Sequence, residues 1–380
     1  MKSSSYRSAL TRMAPVFVGP AVAVLSVLAA AGTASAAVAA RAAGQVAQQH
    51  GTARPAATKV SWHRMPLLHG WVTARNARFD IANPEYAISD GMVYLNGGLR
   101  QPHSGSDTFG VLPRGYRPSH VLYFSMLAGS QGAAGVLQID TNGSMHAYGG
   151  GAQTFASLAA VSFPVSQVTW HALPLRNGWH ASTGNNTGRP SYAVKNKIVH
   201  LAGAVHQASG GTVTFGLLPR GARPAHSLFI TVYTSGGSTG TLRIDSNGVL
   251  QAYGSQAGAF TSLAGISFPD ASFAWKKLAL KNGWQPAQSS YGAGGPSYAV
   301  VGPIVYMTGA VRQASGTTGV FASMPAAARP SHILPMITYT YGFTFGVLQL
   351  TPSQLNIGSN PYTNAQYFTS LAAISFPRTS

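Results

Sequence analysis

The chain has no cysteine and only seven acidic residues among its 380. The first absence removes a disulfide framework, thiolate zinc sites, iron–sulfur clusters and a cysteine nucleophile together. The second leaves few carboxylates for chemistry that needs them in pairs. Charged residues of both signs make up only 8% of the chain. Beyond the first 36 residues no apolar run is long enough to span a bilayer. What is abundant is glycine, at 44 residues, and apolar side chains, at 45%. That balance is not that of a disordered polyelectrolyte, and a chain of this length can bury real cores without disulfide staples.

Lys2, Arg7 and Arg12 form a positive head, followed by an apolar stretch from Met13 to Ala31 and by Ala34-Ser35-Ala36. The pattern predicts a secretory signal peptide over 1–36, cleaved after Ala36. The alternative is an uncleaved anchor, since about 19 apolar residues can just span a bilayer. Pro15 and Pro20 inside the stretch, and the small-residue site after it, favour cleavage. The expected location is therefore extracellular, free or associated with the cell wall. Residues 37–59 hold no acid and no Phe, Tyr or Trp. They read as a disordered linker, because they cannot bury enough apolar area to offset the entropy of ordering.

From there the chain repeats itself three times. Trp62, Trp170 and Trp275 each stand nine residues before Trp71, Trp179 and Trp284, which uses every tryptophan present. Tyr-Ala recurs at 86, 192 and 298, and a glycine inside an apolar run at 97, 203 and 309. Leu112-Pro113, Leu218-Pro219 and Met324-Pro325 come next, then Arg-Pro-x-His at 117–120, 223–226 and 329–332. Each copy closes on Ser-Leu and then Ser-Phe-Pro, ending at Pro164, Pro269 and Pro377. The units span 60–166, 167–271 and 272–380, about 107 residues each. Such a period is that of whole domains in tandem, not of a solenoid.

Within a copy the signals are those of strands and turns. Asp140-Thr141-Asn142-Gly143 and Asp245-Ser246-Asn247-Gly248 lie between apolar runs and predict hairpins with type I′ turns. Ile198 to Val205 and Ile304 to Val311 read as buried strands, each broken by a glycine that marks a bulge or a close backbone approach. No window holds a sustained 3.6-residue periodicity with caps. The expected fold is all-β: three tandem β-sandwich domains, jelly-roll-like or barrel-like.

The ordered set of Asn-Gly-Trp, Leu-Pro-x-Gly-x-Arg-Pro, Ile-Asp-x-Asn-Gly and Ser-Leu-x-x-Ile-Ser-Phe resembles the head domains of phage tail-fibre and receptor-binding proteins. The likeness covers all three units. It implies compact β-sandwiches of a kind that trimerise in phages and bind cell-surface saccharides. Copy three departs from it, with Ala326-Ala327 in the proline turn and Thr351-Pro352-Ser353 in place of the Asp-x-Asn-Gly hairpin. The signal peptide argues against a component of a phage particle. Three copies on short joints suggest that the domains pack as a pseudo-trimer within one chain.

Glycoside hydrolysis needs two carboxylates flanking the bond. Copy one holds Asp80, Glu85, Asp90, Asp107 and Asp140, copy two Asp245 and Asp270, and copy three none, so no acid pair recurs. Asp140 and Asp245 fall in turns, where Asp bonds its own backbone. Gly236-Gly237-Ser238-Thr239-Gly240 matches the pattern of a serine nucleophile elbow, but that motif requires a helix after it, and Thr241 to Ile244 reads as a strand. The twelve histidines show no recurring second ligand, so neither a metal nor another cofactor is expected.

The paired tryptophans read as core anchors, as aromatics at fixed places in sandwiches commonly are. Features that differ between copies are better recognition candidates. The strongest is Tyr339, Tyr341, Phe343 and Phe345, whose alternation places four rings on one face. Weaker candidates are Arg117 with His120, Arg223 with His226 and Arg329 with His332, once per domain.

The net charge after Ala36 is +15, of which copies one, two and three carry +1, +5 and +6. A basic secreted protein is drawn to anionic polymers. Nucleic acid is not the expected partner, since no dense Lys/Arg stripe with interleaved aromatics is present. The function expected is non-catalytic binding of cell-surface or extracellular glycans. The alternatives are a structural envelope or matrix protein without a specific ligand, and a glycan hydrolase with its site confined to copy one.

Overall fold

A computed structural model of the chain describes residues 60–74, 80–103, 105–165, 168–208, 211–287, 289–358 and 362–379. The signal peptide and linker predicted over 1–59 lie outside them. All three repeats fall within a single compact unit, Ala56–Ser380. The architecture is all-β, as the turn and strand signals predict; among the described residues the one α-helix is Tyr362–Tyr367, beside five single-turn 3-10 helices.

Each repeat builds two antiparallel layers. In repeat 1 the first layer holds His63–Arg64, Glu85–Ser89, Met92–Asn96 and Ser162–Pro164, and four-stranded counterparts recur in repeats 2 and 3. The second layer is seven-stranded in repeats 1 and 3. In repeat 2 it divides into three- and four-stranded pieces, tied by a single bridge between Thr234 and Thr261.

The apolar runs expected to be single strands are each two strands in different layers. Met92–Asn96 belongs to the first layer and Gly98–Arg100 to the second. Gly97 between them has φ +99°, and a Cβ there would fall 2.2 Å from the Asn83 carbonyl oxygen. Gly203 and Gly309 make the same corner against residues 189 and 295. Only glycine tolerates both the dihedral and the approach. This corner also separates His200 from His206, which a straight strand would have put on one side.

The Asn-Gly hairpins form, but not with the predicted turn. Gly143 has positive φ while Asn142 does not, and the Gly143 N–H donates to Asp140 O at 2.9 Å. That is a type I turn closed by a left-handed glycine, a three-residue hairpin loop. The Asn142 side chain accepts from the Ser144 N–H at 2.8 Å, which stabilises the turn without requiring positive φ at Asn142.

Trp71, Trp179 and Trp284 are buried core anchors, each indole N–H donating to a backbone carbonyl, at Ser106, Thr212 and Thr318. Of the first tryptophans in each pair, Trp62 and Trp275 pack against a cluster shared by all three repeats. Their counterpart Trp170 is exposed, so the core reading fails there.

The repeats close into a ring. The Val121 N–H donates to Asn186 O, Ser227 to Gly292 O and Ile333 to Asp80 O, each at 2.9 Å. These are equivalent positions, and the third bond returns from repeat 3 to repeat 1, so the domains form a pseudo-trimer. Cores interlock in the same sense: Ala159 of repeat 1 enters the core of repeat 3, Ala264 of repeat 2 packs on that of repeat 1, and Ala372 of repeat 3 enters that of repeat 2. The recurring Ser-Leu-Ala is thus a junction motif. Ser157 Oγ donates to Pro335 O at 2.6 Å and Ser262 Oγ to Tyr123 O at 2.8 Å, each across a junction.

All three repeats share an apolar cluster that includes Met92, Ile198 and Ile304 with Tyr94 and Tyr306. Tyr94 and Tyr306 share a hydrogen bond, and burial pushes Tyr306 up to about 12. At the equivalent position repeat 2 carries His200, buried and bonded to Ser267 Oγ at 2.8 Å. Burial lowers its pKa to about 4, so it is neutral in the fold.

Candidate functional site

The three junctions are built from the same positions and filled differently. Between repeats 1 and 2, Tyr123 stacks on Tyr233 at 5.2 Å, and both meet Phe260 edge-on at 5.8 and 5.6 Å. Between repeats 2 and 3, Phe229, Tyr339 and Phe368 repeat the arrangement, at 5.4, 5.2 and 5.6 Å. Between repeats 3 and 1 the corresponding residues are Pro335, Leu127 and Phe155. Two of the three rings are missing there.

At that junction lies a cleft of about 1190 Å³, and Pro335, Leu127 and Phe155 all line it. One wall is the Gly129–Ala133 hairpin tip of repeat 1, with Ala74, Ile81 and Arg100. The other is the outer face of repeat 3, through Phe345, Val347, Gln349 and Asn356. Phe343, Thr344 and Thr239 border it. The surface offered is mixed: the rings of Phe155, Phe343 and Phe345, and the amides of Gln131, Gln349 and Asn356. Among the described lining residues there is no carboxylate and no histidine, and Arg100 is the one charged side chain. A smaller cavity of about 110 Å³ lies among the three central strands, Leu122–Ala128, Leu228–Tyr233 and Leu334–Thr340, and is lined by all three repeats.

The aromatic stretch of repeat 3 does not form the single platform that alternation suggests, because the chain turns within it. Leu334–Thr340 and Thr344–Leu350 are the two strands of a hairpin, which sets Tyr339 opposite Phe345. Tyr339 is buried as a junction ring. Phe345 lines the cleft. Phe343 is 59% exposed, with φ +61°, at the position held by Gly132 and Gly237 in the other repeats. Its ring rests on Tyr253 of repeat 2 at 4.9 Å. Tyr341 packs on Tyr367 of the short helix at 5.4 Å, and both are exposed.

The Arg-Pro-x-His turns hold the ring together. Arg117 Nε donates to Leu112 O at 2.8 Å and Arg223 Nε to Leu218 O at 3.0 Å, closing the proline turns. The backbone carbonyl of Arg329 accepts from the Thr379 N–H at 2.8 Å. The rings of His120 and His226 lie on the next repeat, over Gly188 and Gly294, where a Cβ would come within 2.7 and 2.4 Å of them. The third seat is Ala82, whose methyl occupies that space, and His332 Nδ1 instead meets Asp80 Oδ1 at 3.3 Å.

Among the carboxylates of repeat 1, Asp107 and Asp140 come together on one histidine. Burial raises the pKa of Glu85, which accepts from Asn96 at 3.4 Å, and Asp90 pairs with Lys195 at 3.0 Å. His146 is bracketed by Asp107 and Asp140 at 3.2 and 3.1 Å, so both ring nitrogens are engaged. Arg243 and Ser227 hold Asp245. The Ser235–Gly237 turn leads into the strand Thr239–Ile244 and not into a helix, so the nucleophile-elbow geometry is not made.

Sequence reasoning missed the junction residues at 127, 155 and 335. The signal was available. Aligning the copies gives a column of Tyr123, Phe229 and Pro335 and another of Leu127, Tyr233 and Tyr339, and rings that vanish from one copy mark the open junction.

No family model matches the chain, and neither does any curated protein or solved structure.

Proposed function

We propose that the protein binds a glycan, without transforming it, in the cleft between repeats 3 and 1. The observation that carries this reading is the surface the missing rings leave open. Saccharides present an apolar C–H face and a rim of hydroxyls. The cleft offers aromatic rings for the first and neutral amides for the second, in a concavity large enough for a few sugar units. The absence of a carboxylate pair among its described lining residues sets it apart from a glycosidase site. The export predicted from the first 36 residues, and the resemblance to tail-fibre heads read from the repeat motifs, point the same way.

The test restores the rings. The double substitution Pro335→Phe, Leu127→Tyr rebuilds the trio found at the other two junctions and narrows the cleft where it meets the junction. The full chain is sedimented with cell walls and insoluble polysaccharides across a salt series. Saturable binding that survives high salt and is weakened in the double variant is the expected result. Binding unchanged in the refilled protein overturns the reading.

The structural-protein reading draws on a different observation, the exposed Tyr341 and Tyr367 pair. It predicts concentration-dependent self-association that Tyr341→Ser with Tyr367→Ser abolishes in sedimentation velocity.

A further inference from the structure

The three repeats carry a basic residue at the same position of one second-layer strand: Arg100, His206 and Arg312. Each faces a cross-strand neighbour, and the neighbours differ. Arg312 lies opposite Gln285 and donates to its Oε1 at 3.3 Å. His206 lies opposite His180, with 5.9 Å between ring centroids. Arg100 lies opposite Val72, which has no polar side-chain atom to offer. Among the described residues the Arg100 guanidinium has no hydrogen-bond or ion-pair partner, and it lines the cleft.

A guanidinium left unpaired at the wall of a concavity, with no carboxylate among the described lining residues to neutralise it, attracts an anion. Its planar fork matches a carboxylate through two parallel hydrogen bonds. The pairing of Leu99 with Ala156 sets Phe155 across from Arg100, so a ring for stacking and a cation for pairing stand side by side. Together they fit a sugar ring that bears an acidic group. We infer that Arg100 makes the cleft selective for glycans carrying a carboxylate, of the uronic acid type, an inference that rests on the glycan reading above.

The experiment measures binding of the full chain to oligomers of galacturonate and of an unsulfated glucuronate-containing glycosaminoglycan, each also as its methyl ester. The ester keeps the sugar and removes the charge. Arg100→Gln removes the cation. Val72→Gln leaves it in place but supplies the partner that Arg312 has. Arg114→Gln, at an exposed turn away from the cleft, controls for net charge. Melting temperatures confirm that each variant is folded.

The expected result is acid bound about tenfold or more tighter than ester. Arg100→Gln erases that difference, Val72→Gln reduces it and Arg114→Gln leaves it intact. Equal affinity for acid and ester, with both weakened when Pro335→Phe, Leu127→Tyr narrows the cleft, overturns the role of Arg100 and keeps the glycan reading. Equal losses in Arg100→Gln and Arg114→Gln show attraction to net charge alone and likewise overturn it. If neither acid nor ester binds, or if narrowing the cleft changes nothing, the glycan reading falls and this inference with it.

Discussion

Two of the three junctions in this ring are sealed by three interlocked aromatic rings, and the third by one ring, a leucine and a proline. The backbone scaffold of the junction is the same in each, down to the N–H to carbonyl bond that starts it. The difference shows that the scaffold closes the ring through main-chain bonds and small residues, while the aromatics decide only whether a junction is filled. A gap of this kind is tolerable because the remaining contacts, Ser157 on Pro335 and Ala159 in the core of repeat 3, still anchor the two repeats.

The largest effect that breaks this comparison comes from a filled junction. Phe229→Ala removes a ring packed on two others and is expected to cost about 3–5 kcal/mol, against about 1–2 kcal/mol for Phe155→Ala at the open one. Chemical denaturation measures both, and equal losses would show that the third junction is as tightly built as the others.

The axial cluster offers the next contrast. His200 stands where its siblings are tyrosines, and its folded pKa of about 4 lies below the ordinary 6.5. A histidine held neutral by burial contributes stability that is complete above about pH 6.5 and is lost as the pH falls towards 4, up to about 3 kcal/mol. His200→Gln should flatten the melting temperature between pH 7 and 4 relative to the parent, and an unchanged acid slope would place the loss elsewhere.

Refilling the open junction should sharpen the comparison further. Pro335→Phe, Leu127→Tyr is expected to raise stability by about 1 kcal/mol through three new ring pairs while weakening ligand binding. A fall in stability would mean that this junction has settled into a spacing the rings no longer fit.

The smallest effect is expected at Phe343. Phe343→Gly relieves a left-handed backbone at a position where the other repeats have glycine, and gives up the contact with Tyr253. The two changes nearly cancel, leaving stability within about 0.5 kcal/mol.

Particular residues show what could be read in advance. The all-β character and the buried Trp71, Trp179 and Trp284 rest on short-range patterns and are where the pattern places them, whereas Trp170 is exposed and the run from Ile198 to Val205 is split between two layers. The glycine at 97, 203 and 309 was visible as an interruption, but its work as a corner between layers depends on a carbonyl some 14 residues away in the folded chain. Arg-Pro-x-His is visible as a motif and reads first as a structural turn with a half-buried histidine, with ligand contact as the second reading. In copies one and two its partners are the turn it closes and a glycine in the next repeat, and in copy three His332 meets Asp80, none of which the motif itself reveals. Tyr339, Tyr341, Phe343 and Phe345 form one run in sequence and separate fates in space, because a hairpin turn falls in their midst.

By itself the sequence determined that this protein is all-β and built three times over. These properties follow from residue periodicity and local backbone preference, which act over a few positions and survive in any arrangement of the domains. Only the tertiary structure decided that the copies close into a ring, which junction is open, and which arginine faces the opening unpaired. Those outcomes depend on contacts such as Ser157 with Pro335 and Asp80 with His332, separated by 178 and 252 residues. No local pattern encodes such a pair, because what brings the two residues together is the packing of whole domains whose surfaces differ by a few side chains.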